Sequence, residues 1–556
     1  MVFSDQIISC RRVIRGQGRP LRAVLVLGLL LSLSLVACKD PDDDGNPTAE
    51  DEPSGYPEAI EKIFTTNNCT SCHGETRREA GLGLHKWSVL FEGDNYGALV
   101  FPGNAQWSHL LWHVNYFGED AGFSAPPFMP YRDLQEGGYA FDSTNMLTRE
   151  EYDLLRQWVA NGAPNNEGVG YWDERKTENR GKFFFLNQGS DLVGVVDLDR
   201  DLIMEYFEVG NQDGCENADS PHYITKSPDG QYIYLSLIDG GVIEKRRASD
   251  YSLVATSERI GDQAAHVEIS GDGRWAVVSN WVEEQTGLTQ NKLVILDTQT
   301  MQISDVLDLP YLSLVHGIAL KQDFSRVYAT SNVGNYFFWV DLDAQNGKFL
   351  NKNNILFDQV QTMDPAQQPM ETGPFQPYQC ILSEDEDFLF VTCPEDHSVH
   401  MYDITGGTPQ KVDLNRHPGE GVECSQTVGL EPRLVYHHSN RLYVICLSQV
   451  CSNSANRSRK GCVSVFNTAG GTLQWETNIY GIGHIPRSLG IDPVRQKMWV
   501  VCENAAVGGV PPHHPIPCGD AGHYNVVDIS NPMNPQVVHS IPIDAAAGCS
   551  GSVIIP

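Results

Sequence analysis

The hydrophobic pattern of the chain changes character three times. Near the start, Ala23 to Ala37 (AVLVLGLLLSLSLVA) is an apolar run behind five arginines, Arg11, Arg12, Arg15, Arg19 and Arg22. The run is short for a membrane span and suits the core of a secretory signal, so residues 1–37 are expected to be removed on export. Residues 38–55 are acidic and rich in Pro and Gly, and predict a flexible tether with nothing to bury. From 56 to 166 the apolar positions fall at helical spacing. Ile60, Ile63 and Phe64 share one face of an opening helix. The closing stretch LTREEYDLLRQWVANGAP offers a capping box (Thr148, Glu151), a buried stripe of Leu154, Leu155, Trp158 and Val159, and a stop at Gly162 and Pro164. Beyond a linker at 167–181 the period drops to two, and short alternating strands separated by polar turns run from 182 to 556.

Within those strands one phrase recurs, an apolar strand, a tight turn and a second strand. It begins at His222, His266, His316, Tyr378, Pro432 and Pro486, and each copy is followed by a second hairpin. A half unit, KFFFLNQGSDLVGVVDL, opens the region without an inner strand, and the terminal GCSGSVIIP can supply one. The pattern predicts a seven-bladed propeller closed by the C-terminal strand, which removes the exposed edges of an open array. The expected fold is multidomain: a small all-α domain followed by an all-β propeller.

Charge narrows the partners. The 556 residues carry 71 acidic against 39 basic side chains, a formal net charge of -32, which argues against nucleic acid and suits an exported body that docks a basic redox partner. Of 14 cysteines, ten lie between Cys215 and Cys549. In an oxidising compartment some should pair, with Cys451–Cys462 and Cys502–Cys518 each bracketing a polar or Gly/Pro-rich loop.

The sharpest chemistry is Cys69-Thr70-Ser71-Cys72-His73. Two residues between the cysteines let both sulfurs reach the vinyl groups of one porphyrin, and the next histidine can take the iron from one side. Half a zinc site or a redox dithiol are the bland alternatives, but no second Cys-x-x-Cys lies nearby. One covalent haem c is expected, with Met129 in SAPPFMPYRD as second axial ligand and His85, His109 and His113 as rivals.

Resemblances add to this reading. LVAC, ending at Cys38, resembles the lipobox of bacterial lipoproteins, which implies a lipid anchor on Cys38 and a place in the cell envelope, on the outer membrane facing periplasm or cell surface. Lys39 followed by acids resembles, more weakly, a surface-export signal. CTSCHGETRREAGLGL, FPGNAQWSHLLWHV, PPFMP and the final LTREE helix resemble class I cytochrome c domains of the divergent kind fused to exported bacterial proteins. That likeness implies His73 and Met129 as iron ligands and departs in the longer loop at 116–124. The strand repeats resemble YVTN-type propeller repeats, and VVDISNPMNPQVV the LVIVD repeat; both speak to fold rather than activity.

At the start of the inner strands, His222, His266 and His316 occupy equivalent positions in three consecutive repeats, and His484 stands two residues before Pro486. Converging rings would suit copper, iron, zinc or an anionic substrate, whereas rings bonded to neighbouring blades would be structural. His437 and His438 are expected to face solvent in a turn, and His513 and His514 sit in a Pro/Gly-rich insertion; neither pair is assigned a role. No phosphate loop, no G-x-S-x-G and no paired catalytic carboxylates stand out. The sequence therefore points to a membrane-anchored electron-transfer cytochrome whose propeller docks a partner or ligand. The alternatives are an oxidoreductase with a second metal or cofactor at the propeller mouth, in a layout that resembles cytochrome cd1 nitrite reductase or nitrous oxide reductase, and a surface binding or adhesion protein.

Overall fold

The structure, a computed structural model, describes residues 54–556 apart from 95–96, 119–120, 123, 125–127, 134–138, 174, 177–180, 212–217, 282–290, 310–314, 333–335, 357–374, 420–425, 449–460, 484, 503–521 and 544–550. The expected signal segment, Cys38, His484, His513 and His514 thus lie outside the described residues, as do Cys451 and Cys518, while Cys462 and Cys502 are buried. The helical region and the propeller belong to one compact unit, Pro53–Pro556.

Four α-helices frame the helical region: α1 (Glu58–Thr66), α2 (Trp87–Leu90), α3 (His109–His113) and α4 (Arg149–Ala160). Ile60, Ile63 and Phe64 of α1 are buried, as their spacing predicts. The capping box of α4 is present, with Glu151 N donating to Thr148 Oγ1 at 3.2 Å and Thr148 N to Glu151 Oε2 at 2.8 Å. Its buried stripe differs from the expectation by one residue. Leu154 is 43% exposed, and Tyr152 turns inward instead, donating its hydroxyl proton to Ala121 O at 3.0 Å. The reason is geometric: 152, 155 and 159 keep i, i+3, i+7 spacing, and 154 lies off that stripe. Asn67, at the end of α1, donates to Glu151 Oε1 at 3.2 Å and so ties the start of the cysteine motif to α4.

The rest forms seven four-stranded antiparallel sheets, each in sequential strand order except the last. That closing blade joins Ser552–Ile555 as inner strand to Lys182–Asn187, Leu192–Asp197 and Leu202–Glu208, with Phe185 opposite Ser552 and Lys182 opposite Ile555. The expected closure by the C-terminal strand is therefore observed. Phe183, Phe184 and Phe185 are fully buried in it, packed with Trp499 and Tyr524 of the preceding blade. Burial of such aromatic area is what makes closure favourable.

One device repeats on the inner strands. Each of five has a β-bulge at its start, between Pro221 and Tyr223, Ala264 and Val267, Val315 and Ile318, Pro432 and Val435, and Pro486 and Ser488. A bulge re-aims a side chain and leaves its backbone groups out of the ladder. A hydroxyl thirteen residues later meets that need: Tyr223 N donates to Ser236 Oγ at 3.0 Å, His266 N to Ser279 Oγ at 3.2 Å, Gly317 N to Thr330 Oγ1 at 3.1 Å, and Gln379 N to Thr392 Oγ1 at 3.3 Å. The same hydroxyls then donate across to the next blade, Ser236 to Ala265 O, Ser279 to His316 O at 2.9 Å, Thr330 to Tyr378 O at 2.8 Å and Thr392 to Arg433 O at 2.5 Å. The first three latches hold a bulge, the fourth holds the inner strand at Gln379, and all four stitch two blades. Ser279→Ala should lower stability by about 1–3 kcal/mol, because it leaves the His266 amide and the His316 carbonyl short of a partner. Urea unfolding of the two proteins measures this as a lower midpoint at unchanged slope.

Candidate functional site

The cysteine motif sits in a short 3-10 turn at the end of α1, Cys69–Ser71, with Cys72 N and His73 N both donating to Cys69 O at 3.3 and 3.0 Å. Cys69 and Cys72 are free thiols, both partly buried. Burial pushes the Cys69 thiol up to about 12 and holds His73 below the usual imidazole range, so the ring is neutral and able to ligate. His73 Nδ1 is buried without a hydrogen-bond partner. Cys69 and Met129 pack on one apolar cluster with Tyr116 and Phe117, and Tyr116 in turn meets Phe128 and Phe141 at ring-centroid distances of 6.4 and 5.6 Å. Met129 N donates to His113 O at 2.8 Å, which fixes the methionine loop to the end of α3. An aromatic cradle, two unpaired thiols one turn apart and a neutral imidazole fit a c-type haem. Of the rival histidines, His109 is buried against Trp112 and Phe101, with ring centroids 4.2 and 6.1 Å away.

That aromatic group is where the helical region meets the propeller. Phe101, Trp107 and Trp112 form a cluster with Leu192 of the closing blade, and Phe101 stands edge-on to Tyr206 at 5.0 Å. Glu208 accepts from Trp107 Nε1 and Asn104 Nδ2, each at 3.1 Å, and Ala98 N donates to Ile543 O at 3.2 Å. Burial raises the Glu208 carboxyl while the two donors oppose that rise.

The strand directions fix which face this is. Leu192 pairs with both Asn187 and Glu208, at the end of the closing blade where its inner strand begins. Pro542 likewise lies level with Pro486 through His523 and Cys502. The helical region therefore sits on the face at which the inner strands start, the face of the histidines. A single turn, Asn187 to Leu192, links the two. Leu192 touches the aromatic cluster, Gln188 Oε1 lies 3.3 Å from His222 Nδ1, and the Asp191 carboxylate accepts from Asp219 N and Ser220 N at 3.1 and 2.9 Å.

His222, His266 and His316 are all buried, and one ligating atom from each lies within 4.8 Å of the other two. Their ring centroids are 5.8 Å (222 to 266), 5.6 Å (222 to 316) and 4.4 Å (266 to 316) apart. They are not equivalent positions, as the repeat had suggested. In the hydroxyl register His266 matches Tyr223, Gly317 and Gln379, one residue beyond the column of His222 and His316, where its blade has Ala265. His266 stacks on Tyr223 at 4.2 Å and His316 on Tyr378 at 4.1 Å. Burial pushes His266 down to about 3 and His316 well below the normal range, so both are neutral. Two residues on from His266, the Glu268 carboxyl is raised to about 7 by burial and accepts from Tyr223 Oη at 2.9 Å. His437 and His438 are not free in solvent: His437 stacks on Phe390 at 5.2 Å and His438 Nδ1 is 2.7 Å from Glu384 Oε1.

Residues 69–121 match the family model described as Planctomycete cytochrome C. The match begins at Cys69 itself and takes in Tyr116, Phe117 and the α3 interface, so these belong to a cytochrome c-like region. No curated protein matches the chain. Among solved structures, the chain is similar to the periplasmic gluconolactonase PpgL of Pseudomonas aeruginosa, at 14% identity and TM-score 0.49 over 68% of this chain and 99% of that one. It is also similar to a functionally unknown protein of Desulfotomaculum acetoxidans, at 14% and 0.48 over 67% and 98%, and to Kuenenia stuttgartiensis hydrazine synthase, at 16% and 0.39 over 52% and 80%. Identities this low carry no activity across.

Sequence reasoning missed Glu208, Asp191, Gln188, Tyr223 and Glu268. Only the latch hydroxyls had a legible signal, a Ser or Thr thirteen residues after the latched amide in four successive blades. Glu208→Ala should cost about 1–3 kcal/mol, since two donors facing the propeller lose their acceptor; denaturation followed separately through the cytochrome c-like region and through propeller fluorescence should show the two transitions moving apart. Asp191, raised to about 7 by burial, is protonated in the fold where the unfolded carboxyl is ionised. Its contribution to stability therefore falls as pH rises from about 4 to about 7. Stability measured across that window should fall less steeply in Asp191→Asn than in the parent chain.

Proposed function

We propose that this protein is an exported, lipid-anchored electron carrier whose cytochrome c-like region works as a fixed extension of the propeller. The observation that carries this reading is the Cys69–His73 turn, within the stretch matched by the cytochrome family, packed on an apolar aromatic cradle. Cys69 and Cys72 would hold one haem through thioether bonds, and His73 and Met129 would take the axial positions. A haem c there supplies a one-electron couple. The residues around it supply what an electron carrier needs. Tyr116 and Phe117 pack on the apolar cluster beside Cys69 and Met129, Asn67 ties the cysteine turn to α4, and the tie from Met129 N to His113 O limits how far the methionine can move. Rigid apolar surroundings reduce the reorganisation that accompanies a change of charge. Cys38 would anchor the chain to the membrane, and the acidic surface favours a basic redox partner.

A second reading, a catalytic oxidoreductase with another centre in the propeller, is favoured by the convergence of His222, His266 and His316 on the face that carries the cytochrome c-like region.

Expression with haem maturation, followed by denaturing electrophoresis and reduced-minus-oxidised spectra, tests the primary reading. The expected result is one covalent haem, absent from the Cys69→Ala/Cys72→Ala double variant. Met129→His should keep the haem low-spin and lower its potential, because a thioether favours Fe(II) more than imidazole does. Loss of haem on denaturation, or a potential indifferent to Met129, would contradict the reading.

A further inference from the structure

We infer that His222, His266 and His316 form a three-imidazole site for a first-row transition-metal ion, built between the first three blades of the propeller. The ligating atoms already lie within 4.8 Å of one another, whereas three nitrogens about 2.0–2.1 Å from one ion stand roughly 3.3–3.5 Å apart in a tetrahedral shell, so modest ring rotations complete the set. Neutral imidazole without thiolate is the donor set preferred by zinc, copper and iron and disfavoured by calcium or magnesium.

Three further observations point to a ligand rather than to simple packing. Both ring nitrogens of His266 are buried without a hydrogen-bond partner, and so is Nδ1 of His316. Native interiors pair their buried polar atoms, and an ion would satisfy one on each ring. Next, the Gln188 carbonyl oxygen can only accept, so His222 Nδ1 carries the proton and Nε2 carries the lone pair. That arrangement matches the outer-shell contact which fixes a metal-binding tautomer. Finally, two of the rings are positioned by an aromatic neighbour: His266 stacks on Tyr223 and His316 lies against Tyr378. The one-residue offset of His266 has the same sense. It brings a side chain from the second blade within 4.8 Å of those from the first and third.

The site lies on the face that seats the cytochrome c-like region, and the Asn187–Leu192 turn touches both. Gln188 and Leu192 are four residues apart, at most ~14 Å along an extended chain. The inference stands whether or not that region carries haem, because the assay reads a different metal.

The full-length chain, stripped with a chelator and dialysed against Zn(II), should retain about one zinc per molecule by elemental analysis. X-ray absorption at the zinc edge, to which haem iron does not contribute, should show three imidazole nitrogens at about 2.0–2.1 Å. His266→Gln and His316→Gln should lose the stoichiometric zinc while keeping the parent circular dichroism. Gln188→Leu, which removes the contact to His222 Nδ1, should weaken binding by about 10–100-fold. Absence of stoichiometric zinc, a shell with fewer than three imidazoles, or full retention of zinc by both histidine variants would overturn the inference. If a histidine variant fails to fold, the coordination shell of the unaltered chain decides alone.

Discussion

Buried backbone groups must find partners, and the inner ends of this propeller create a set of them that the sheets cannot satisfy. At each bulge the ladder is interrupted, so an amide and a carbonyl would be left unpaired in the interior. The hydroxyls of Ser236, Ser279, Thr330 and Thr392 meet that need within a blade and between blades at once. The placement of every side chain at the starts of these strands depends on that solution. Without the bulges, His222 and His316 would sit in a regular ladder; at the first three bulges the hydroxyls offset the cost of leaving it.

The same constraint explains what could be read in the sequence and what could not. Alternation of period two and recurring turn residues are local properties, so the blades, the closing strand and the complete hairpins were visible from KFFFLN to SVIIP. The cysteine motif was visible because covalent haem chemistry demands one spacing. The Thr148–Glu151 box was visible because a helix end has one common solution. Leu154 was misjudged since hydrophobicity alone does not say which side of a stripe a leucine occupies. The offset of His266 was hidden for a deeper reason: His opens three consecutive phrases in the sequence, but the register is set by hydrogen bonds to a hydroxyl on another strand. The Glu208, Asp191 and Gln188 contacts join elements far apart in the chain, and no periodicity announces them.

The cytochrome c-like region is seated by a mixed contact. Its apolar part, Phe101, Trp107 and Trp112 against Leu192 and Tyr206, provides area, and Glu208 provides direction by accepting from two specific donors. Area alone would allow sliding. The pair of hydrogen bonds allows one orientation, and that orientation puts α3 and the methionine loop attached to it on the histidine face.

The seat also imposes an order of assembly. Cys69 and Cys72 emerge early during synthesis, and their turn is completed by residues up to about 160, all within the first third of the chain. The surface on which that region rests is finished last: Ile543, which accepts from Ala98 N, lies in the final loop, and the blade bearing Leu192 and Glu208 gains its inner strand only from residues 552–555. The helical region can therefore fold around its cysteine turn before the surface on which it rests is complete.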